Sequence, residues 1–596
     1  MAAPSYNKRY KSTDQQESLR RRLPLLIALM VIATLYLVVR LMTFQYQPSF
    51  VMSYYNRLAN YNYNESQRIA AARGIIYDRE GQPLASNTFD YEIGISPSLI
   101  AEPQRVATQL SAELSEYGIR EIDVLNAVRS GDPWVLLAKP VAPRAAEQVR
   151  NLELLGVTIS AQPRRLYPQG TLAAQLLGFV AGDDSDQLLR GYNGIEGYYR
   201  DELAGRVRDE TTSRIPFDLP ENRETSDIGS DLVLTIDRDI QFLVESELQL
   251  AVTENGATGG TIIVMNPRTG EILAMASNPS YDPNTFFTIE DPDLLRNPAV
   301  SDEYEPGSVM KVITMAIALD LGAVTPEDTY VDNGVIEVGG IAIPNADRQA
   351  RGVVGMEQII VQSLNVGAST LALKVGPGSF YEKMNDFGIG RATGVDLEGE
   401  AAGTLFIPGD PNWSESNLAT NSFGQGVATT PLQMITAVSA IANDGLIMQP
   451  HVVHQIVDGN RVYPSQPSTL ERAISPESAQ IVTDMMVQTV EQNLTDARVP
   501  GYAIAGKSGT AEIPTPLGYE AGASIASFVG FFPADDPQVI ILVKIDRPVD
   551  YWGSIVAAPI FSRLAERLAI LLEIPSDDIR QGLKAEGGSV NDVWSR

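Results

Sequence analysis

The chain has 596 residues, 20% of them charged, a formal net charge of -29 and no cysteine. That length exceeds what one hydrophobic core usually holds, about 250–300 residues, so two or more domains are expected. The acidic surface argues against nucleic acid as a partner, and the missing cysteines exclude disulfide and thiol chemistry. With only His451 and His454 present, a histidine-rich metal site is excluded as well.

Leu23 to Val39 is an uncharged apolar run of 17 residues, and the apolar character continues past Arg40 to Phe44. A spanning helix needs about 17–25 such residues, and Arg40 can snorkel to the interface. Lys8, Arg9, Lys11, Arg20, Arg21 and Arg22 precede the run, whereas only Arg40 and Arg57 lie after it up to Asn64. The positive-inside rule therefore predicts residues 1–22 as a cytoplasmic tail, 23–44 as a single-pass anchor in the cell membrane, and the rest outside. "LMTFQYQ" lacks a small-x-small cleavage pattern, which favours an uncleaved anchor over a signal peptide.

Residues 45–228 are mixed and charged. "ARGIIYDREGQPLAS" predicts strand, turn, strand, and Arg105–Tyr117 and Ala145–Leu152 predict helices. A second unit is expected over 229–575. It opens with a strand at Leu232–Ile236 and a helix capped by Asp237. "TIIVMNPRTGEILAMAS" predicts a hairpin. His451 and His454 sit in "LIMQPHVVHQI", read as a strand leaving a turn. "YAIAGKSGTAEI" and "SIASFVGFFPADDPQVIILVKID" predict strands, Ala558–Leu572 an amphipathic helix, and residues 576–596 a loose polar tail. Strands, then many helices, then strands and a last helix suggest an α/β fold with an antiparallel sheet flanked by helices.

"YEPGSVMKVITMAIALDLG" stands out within the second unit. Pro306-Gly307 turns the chain into a helix with almost no polar face, so that helix belongs in a core. A lysine there is costly without partners. Lys311 is at i+3 from Ser308, on the same face and within reach. A desolvated lysine beside another cation has a lowered pKa and can take a serine proton, and the helix start offers N–H groups to an oxyanion. The same four residues also fit an ordinary serine helix start followed by an ordinary lysine.

Two further elements follow in order. Ser363-Leu364-Asn365 comes 55 positions after Ser308 (363 minus 308), and Lys507-Ser508-Gly509-Thr510 lies in a strand-like stretch. The order Ser-x-x-Lys, Ser-x-Asn, Lys-[Ser/Thr]-Gly resembles the signature of penicillin-recognising serine acyltransferases. "RNPAVSDEYEPGSVMK", "NSFGQGVATTPLQM", "RGIIYDREGQPLA" and "GYNGIEGYYRDELAGR" are similar to the class B penicillin-binding proteins, over roughly Ile69 to Pro575. "AVSDEYEPGS" and "SFGQG…TTPLQM" look more like the cell-division (septal) branch than the elongation branch. Gln175 stands where the family often has His, Leu364 where Ser is common, and Ser508 where Thr is commoner.

The resemblance implies a transpeptidase fold behind an elongated mixed α/β pedestal of the dimerisation type. It implies a peptidoglycan D,D-transpeptidase working through a Ser308 acyl-enzyme, with Lys311 as base. Ser363 would relay a proton, Asn365 would orient Lys311 and the donor amide, and Lys507 would supply positive potential. Ser508 and Thr510, separated by Gly509, would hold the terminal carboxylate, and the N–H groups of Ser308 and Thr510 would form the oxyanion hole. Implied partners are peptidoglycan stem peptides, β-lactams, the membrane, a SEDS-type glycosyltransferase and other division proteins; no cofactor is implied. The alternatives are an elongation-type transpeptidase, a β-lactamase, a D,D-carboxypeptidase, or a non-catalytic β-lactam sensor or division scaffold.

Overall fold

A computed structural model describes residues 13–45, 64–70, 72–182, 189–205, 207–213, 228–515 and 518–585. They fall in two compact units, residues 1–69 with 207–223, and residues 70–206 with 224–596. Expected tail residues 1–12 and 586–596 lie outside the described ones.

In the first unit Thr13–Gln45 forms one helix, and strand Asn64–Ala70 pairs with Val207–Ser213. The helix takes in the whole apolar run, and its long apolar side chains from Ile27 to Met42 are exposed. Among the described residues no helix is long and apolar enough to cross a membrane. The anchor expected at 23–44 extends beyond the side chains described in this helix.

In the second unit a seven-stranded sheet crosses the boundary expected after residue 228. Asp231–Leu234 runs parallel to Ile76–Tyr77 and antiparallel to Val453–Asp458. Ile76–Tyr77 also pairs with Pro83–Ile95, which is flanked by Val135–Val141 and Val157–Leu166. Pedestal and later segments thus share backbone hydrogen bonds, which a split by composition could not show. Helices Pro103–Glu113, Glu121–Arg129 and Pro143–Asn151 cover the pedestal strands with Leu110, Val124 and Val149, buried against Ile93 and Ile95.

The same region holds a buried ionic lock. Arg73 Nε donates to Glu196 Oε2 at 2.6 Å and Arg165 Nε to Glu196 Oε1 at 2.7 Å, all three side chains being nearly inaccessible. Arg165 also donates to the Gly74 carbonyl and to Asn87 Oδ1. Breaking one partner out of such a buried set costs about 3–5 kcal/mol, because a desolvated charge is left behind.

The later part is built on a five-stranded antiparallel sheet. Its strands are β1 (Gly259–Met265), β2 (Ile272–Asn278), β3 (Ala505–Thr515), β4 (Gly518–Phe532) and β5 (Val539–Asp546), in the order β2-β1-β5-β4-β3. Helices cover both faces, so every residue of β1 is buried, including Thr261, whose hydroxyl is bonded to that of Ser277. Alternation still sorts the contacts. Ile263 and Met265 face the cluster that holds α1 (Met310–Asp320), and Ile262 and Val264 face the cluster that holds α3 (Gly553–Leu571). Between these helices in sequence lies α2 (Asn365–Val375). The hairpin expected at 261–277 is β1–β2, and Asp237 caps Arg238–Glu254 by accepting from the N–H groups of Asp239 and Ile240.

Two expectations at the C-terminal end are corrected. Helix α3 starts at Gly553, five positions before Ala558 (558 minus 553), and runs through Pro559. The chain after Pro575 is not wholly loose. Asp577–Ala585 forms a helix held by Arg580, which is 1% exposed and ion-paired to Asp535 and Asp577. Asp577 Oδ2 also accepts the Ala503 N–H at 2.6 Å, two residues before β3 begins.

Candidate active site

Ser308 lies in a short 3₁₀ turn, Gly307–Val309, that leads into α1. At such a start the first backbone N–H groups have no carbonyl one turn earlier to bond. Gly307 makes the turn possible. Its φ is +55°, and a Cβ there would stand 2.7 Å from the Thr510 carbonyl oxygen. That contact also orients β3, the edge strand of the sheet. A strand residue's N–H and C=O point the same way, so the Thr510 N–H faces the Ser308 turn and not β4.

Lys311 is 1% exposed and fully occupied. Its Nζ donates to Ser308 Oγ at 3.0 Å, to Ser363 Oγ at 3.0 Å and to the Ser363 carbonyl at 2.7 Å. Three ammonium protons meet three acceptors. Ser363 offers two of them because its φ is +57°, a left-handed conformation that costs a non-glycine residue about 1–2 kcal/mol. It sits in the turn between Met356–Val361 and α2.

Electrostatics at the site favour a neutral amine. Burial pushes the Lys311 ammonium well below the usual lysine range, and the Lys507 charge adds to the effect. Burial alone brings Lys507 down to about 7. Two desolvated cations facing one cleft repel, and loss of the Lys311 proton relieves both costs.

The expected residues therefore divide. Ser308, Lys311 and Ser363 are joined directly by hydrogen bonds. Lys507, on β3, reaches Lys311 through its charge, while its Nζ donates to the Ser508 carbonyl at 3.0 Å. Thr510 Oγ1 accepts the Gly553 N–H at the start of α3 at 2.9 Å, which leaves its own proton free to donate outward. Gly509 is packed too tightly for a side chain, since a Cβ would come within 2.4 Å of Ser527 Oγ and 2.8 Å of the Pro306 carbonyl oxygen. Ser508 is half-buried beside it. Asn365 does not meet Lys311 in this structure: its Nδ2 donates to the Pro344 carbonyl at 3.0 Å. The two histidines stand elsewhere, with His454 Nδ1 3.3 Å from Glu271 and the His451 backbone paired to the β1–β2 hairpin.

Residues not singled out from the sequence also frame the cleft. Asn345 Nδ2 donates to both oxygens of buried Asp332, and its Oδ1 accepts the Val366 N–H, fastening the segment before α2 to the residue after Asn365. Glu305, Gln425, Glu512 and Tyr519 form a second network on the side of β3. The quoted stretches "YEPGS" and "SFGQG" carried the first two, but nothing in the sequence paired them with a hairpin nearly a hundred or more residues away.

Residues 260–566 match the family described as the penicillin binding protein transpeptidase domain, and residues 68–213 the penicillin-binding protein dimerisation domain. The chain is 31% identical over 520 residues to stage V sporulation protein D of Bacillus subtilis, covering 85% of this chain and 79% of that one. It is 30% identical over 542 residues to the peptidoglycan D,D-transpeptidase FtsI of Escherichia coli, covering 87% of each. Among solved structures, penicillin-binding protein 3 of Mycobacterium tuberculosis in complex with aztreonam is 28% identical and superposes with a TM-score of 0.65, covering 86% of this chain and 98% of that one. With a transpeptidase domain preceded by a dimerisation domain, and a serine and a buried lysine joined at the start of α1, the chain belongs to the class B penicillin-binding proteins.

Proposed function

We propose that this protein is a peptidoglycan D,D-transpeptidase that cross-links stem peptides through an acyl-enzyme on Ser308. The observation that carries the reading is the Lys311 amine bonded at once to Ser308 Oγ and Ser363 Oγ. As a neutral amine, Lys311 has a lone pair for the Ser308 proton. Ser308 Oγ then attacks the carbonyl of the penultimate D-Ala of a donor peptide, and the C–O bond forms as the proton passes to Nζ. The oxyanion lies between the Ser308 and Thr510 N–H groups. Collapse breaks the amide bond, and the proton returns from Lys311 through Ser363 to the departing D-Ala nitrogen. An amine of a second stem peptide repeats the sequence in reverse and releases Ser308. Lys507 and the hydroxyls of Ser508 and Thr510 receive the donor's terminal carboxylate. Asn365 serves the donor amide; orienting Lys311 falls to Ser363. A β-lactam acylates the same serine, as suits the solved relative in complex with aztreonam.

The septal assignment rests on "AVSDEYEPGS" and "SFGQG", which resemble the cell-division branch, and it suits the similarity to FtsI. The test is a two-substrate assay with a D-Ala-D-Ala-ended donor and an amine acceptor. The expected product carries a D-Ala-amine link and its formation is blocked by penicillin. Release of D-Ala with water alone, whatever amine is supplied, would make the protein a carboxypeptidase instead.

Residues 23–44 are assigned as a single-pass membrane anchor with residues 1–22 in the cytoplasm, on the apolar run and the six basic residues before it. The catalytic part is then extracytoplasmic, and glycan comes from a SEDS-type polymerase met through the anchor and pedestal. One swap of 23–44 for an unrelated spanning helix tests both points. A reporter active only in the cytoplasm, fused after Arg596, stays silent before and after the swap, and copurification with the polymerase is lost after it. An active reporter overturns the orientation, and retained copurification overturns the anchor contact.

A further inference from the structure

Glu305 stands three positions before Ser308 and is 6% exposed. Among the described residues no cation faces its carboxylate. Oε1 accepts the Gly426 N–H at 2.9 Å, and the Tyr519 hydroxyl donates to Oε1 and Oε2 at 3.2 and 3.1 Å. A second rung lies beside this one, where Gln425 Nε2 donates to Glu512 Oε2 at 3.0 Å. The segment bearing Gln425 and Gly426 is itself stitched to the nucleophile turn. Gly307 N–H donates to the Gly424 carbonyl at 3.1 Å, and Tyr304 and Thr429 exchange two backbone bonds of 2.9 Å.

Glu512 and Tyr519 belong to the outer arm of the β3–β4 hairpin. Strand β4 pairs with β5 only from Ile525 onward, and the part before it pairs with β3, with Ser524 at its base also accepting the Arg547 N–H and donating its hydroxyl to the Tyr551 carbonyl. An unsupported two-stranded hairpin is marginal in water. On its outer side the arm has the Glu520–Arg547 ion pair, about two-fifths exposed and weak for that reason. On its inner side it has Glu305 and Gln425. The same strand β3 carries Lys507, Ser508 and Thr510 to the cleft.

We propose that Glu305 is a positioning residue, which clasps the β3–β4 arm through Tyr519 against the nucleophile turn and so sets the gap between Ser308 and Thr510 in which the donor is acylated. This rests on the transpeptidase reading above. The clasp is strongest with Glu305 ionised, since a carboxylate only accepts and both its partners donate. Burial raises the pKa of Glu305, Glu512 adds to the rise, and the bonds from Gly426 and Tyr519 oppose it. Acylation therefore weakens as pH falls through a value above the ordinary glutamate range. Removing the Tyr519 hydroxyl cuts the link through which Glu305 holds the arm, so the limb due to Glu305 is lost.

The test measures the rate of penicillin acylation of the full-length protein from about pH 4 to pH 8, around the glutamate range. Tyr519→Phe keeps a half-exposed ring in place, so folding is not at stake. It is expected to lower the rate at neutral pH about tenfold, the worth of one bond to a charged group, and to remove the acid limb due to Glu305. Glu305→Gln keeps the shape but cannot titrate, and is expected to remove that limb while leaving the one due to Lys311. Acid limbs unmoved in both variants, or a Tyr519→Phe protein that acylates at the wild-type rate at neutral pH, overturn the clasp. Wild-type protein that penicillin does not label at Ser308 overturns instead the reading on which the clasp rests, and the clasp with it.

Discussion

Ser308→Ala leaves the protein folded and abolishes its covalent labelling by fluorescent penicillin. The hydroxyl is one of three acceptors around Lys311, and the other two both come from Ser363, so the buried amine keeps partners when Ser308 Oγ is gone. The helix behind it does not depend on the side chain either: Met310 to Ala318 are buried through their own apolar packing. What disappears is the atom that forms the bond, and no other group can take its place. Lys311 is enclosed, and Ser363 is held in a strained turn with both its oxygens bonded to the Lys311 amine. Labelling is therefore expected to fall to background with the thermal melting unchanged. Labelling at the wild-type level would mean that the nucleophile is elsewhere.

Lys311→Ala is expected to slow acylation about 10²–10⁴-fold, the contribution of a positioned general base, or about 3–5 kcal/mol in the barrier. The fold loses less, about 1–3 kcal/mol, for the acceptors left unpaired on Ser363. Lys311→Arg does not rescue the rate, because a guanidinium keeps its proton at any working pH. The pH dependence has a defined sign. Catalysis needs Lys311 neutral, so the rate falls as pH drops through its lowered pKa. Lys507 is one of the two causes of that lowering, so Lys507→Ala moves this limb to higher pH, besides weakening carboxylate binding. An acid limb that stays in place in Lys507→Ala would separate the two lysines, and near-normal acylation by Lys311→Arg would remove the base role.

The parts of this site that were legible in the sequence are those set by local periodicity. The i+3 spacing of Ser308 and Lys311 on an apolar helix placed the two side chains together, and the helix cap at Asp237 and the β1–β2 hairpin follow from equally short-range rules. Ser363 lies 52 positions from Lys311, and no pattern of apolar residues pairs them; only the order of three motifs did. The left-handed turn that aims both Ser363 oxygens at Lys311 was invisible, since serine carries no signal for positive φ. Asn365 was expected at Lys311 because the motif lists it beside Ser363. Its amide is instead drawn to the Pro344 carbonyl on a neighbouring hairpin. The same limit explains the C-terminal end, where a polar stretch read as a loose tail becomes ordered around Arg580 through Asp535, more than forty positions earlier. The boundary expected after residue 228 marks a change in composition, whereas the sheet that spans it is made by pairing strands far apart in the chain.

Where penicillin bonds to the unmodified protein decides whether Ser308 is the nucleophile. Full-length protein incubated with benzylpenicillin, digested and examined by mass spectrometry is expected to carry one penicilloyl group, on the peptide that contains Ser308 and on that residue. An adduct on Ser363, Ser508 or any other residue, or a folded protein with no adduct, would contradict that role for Ser308.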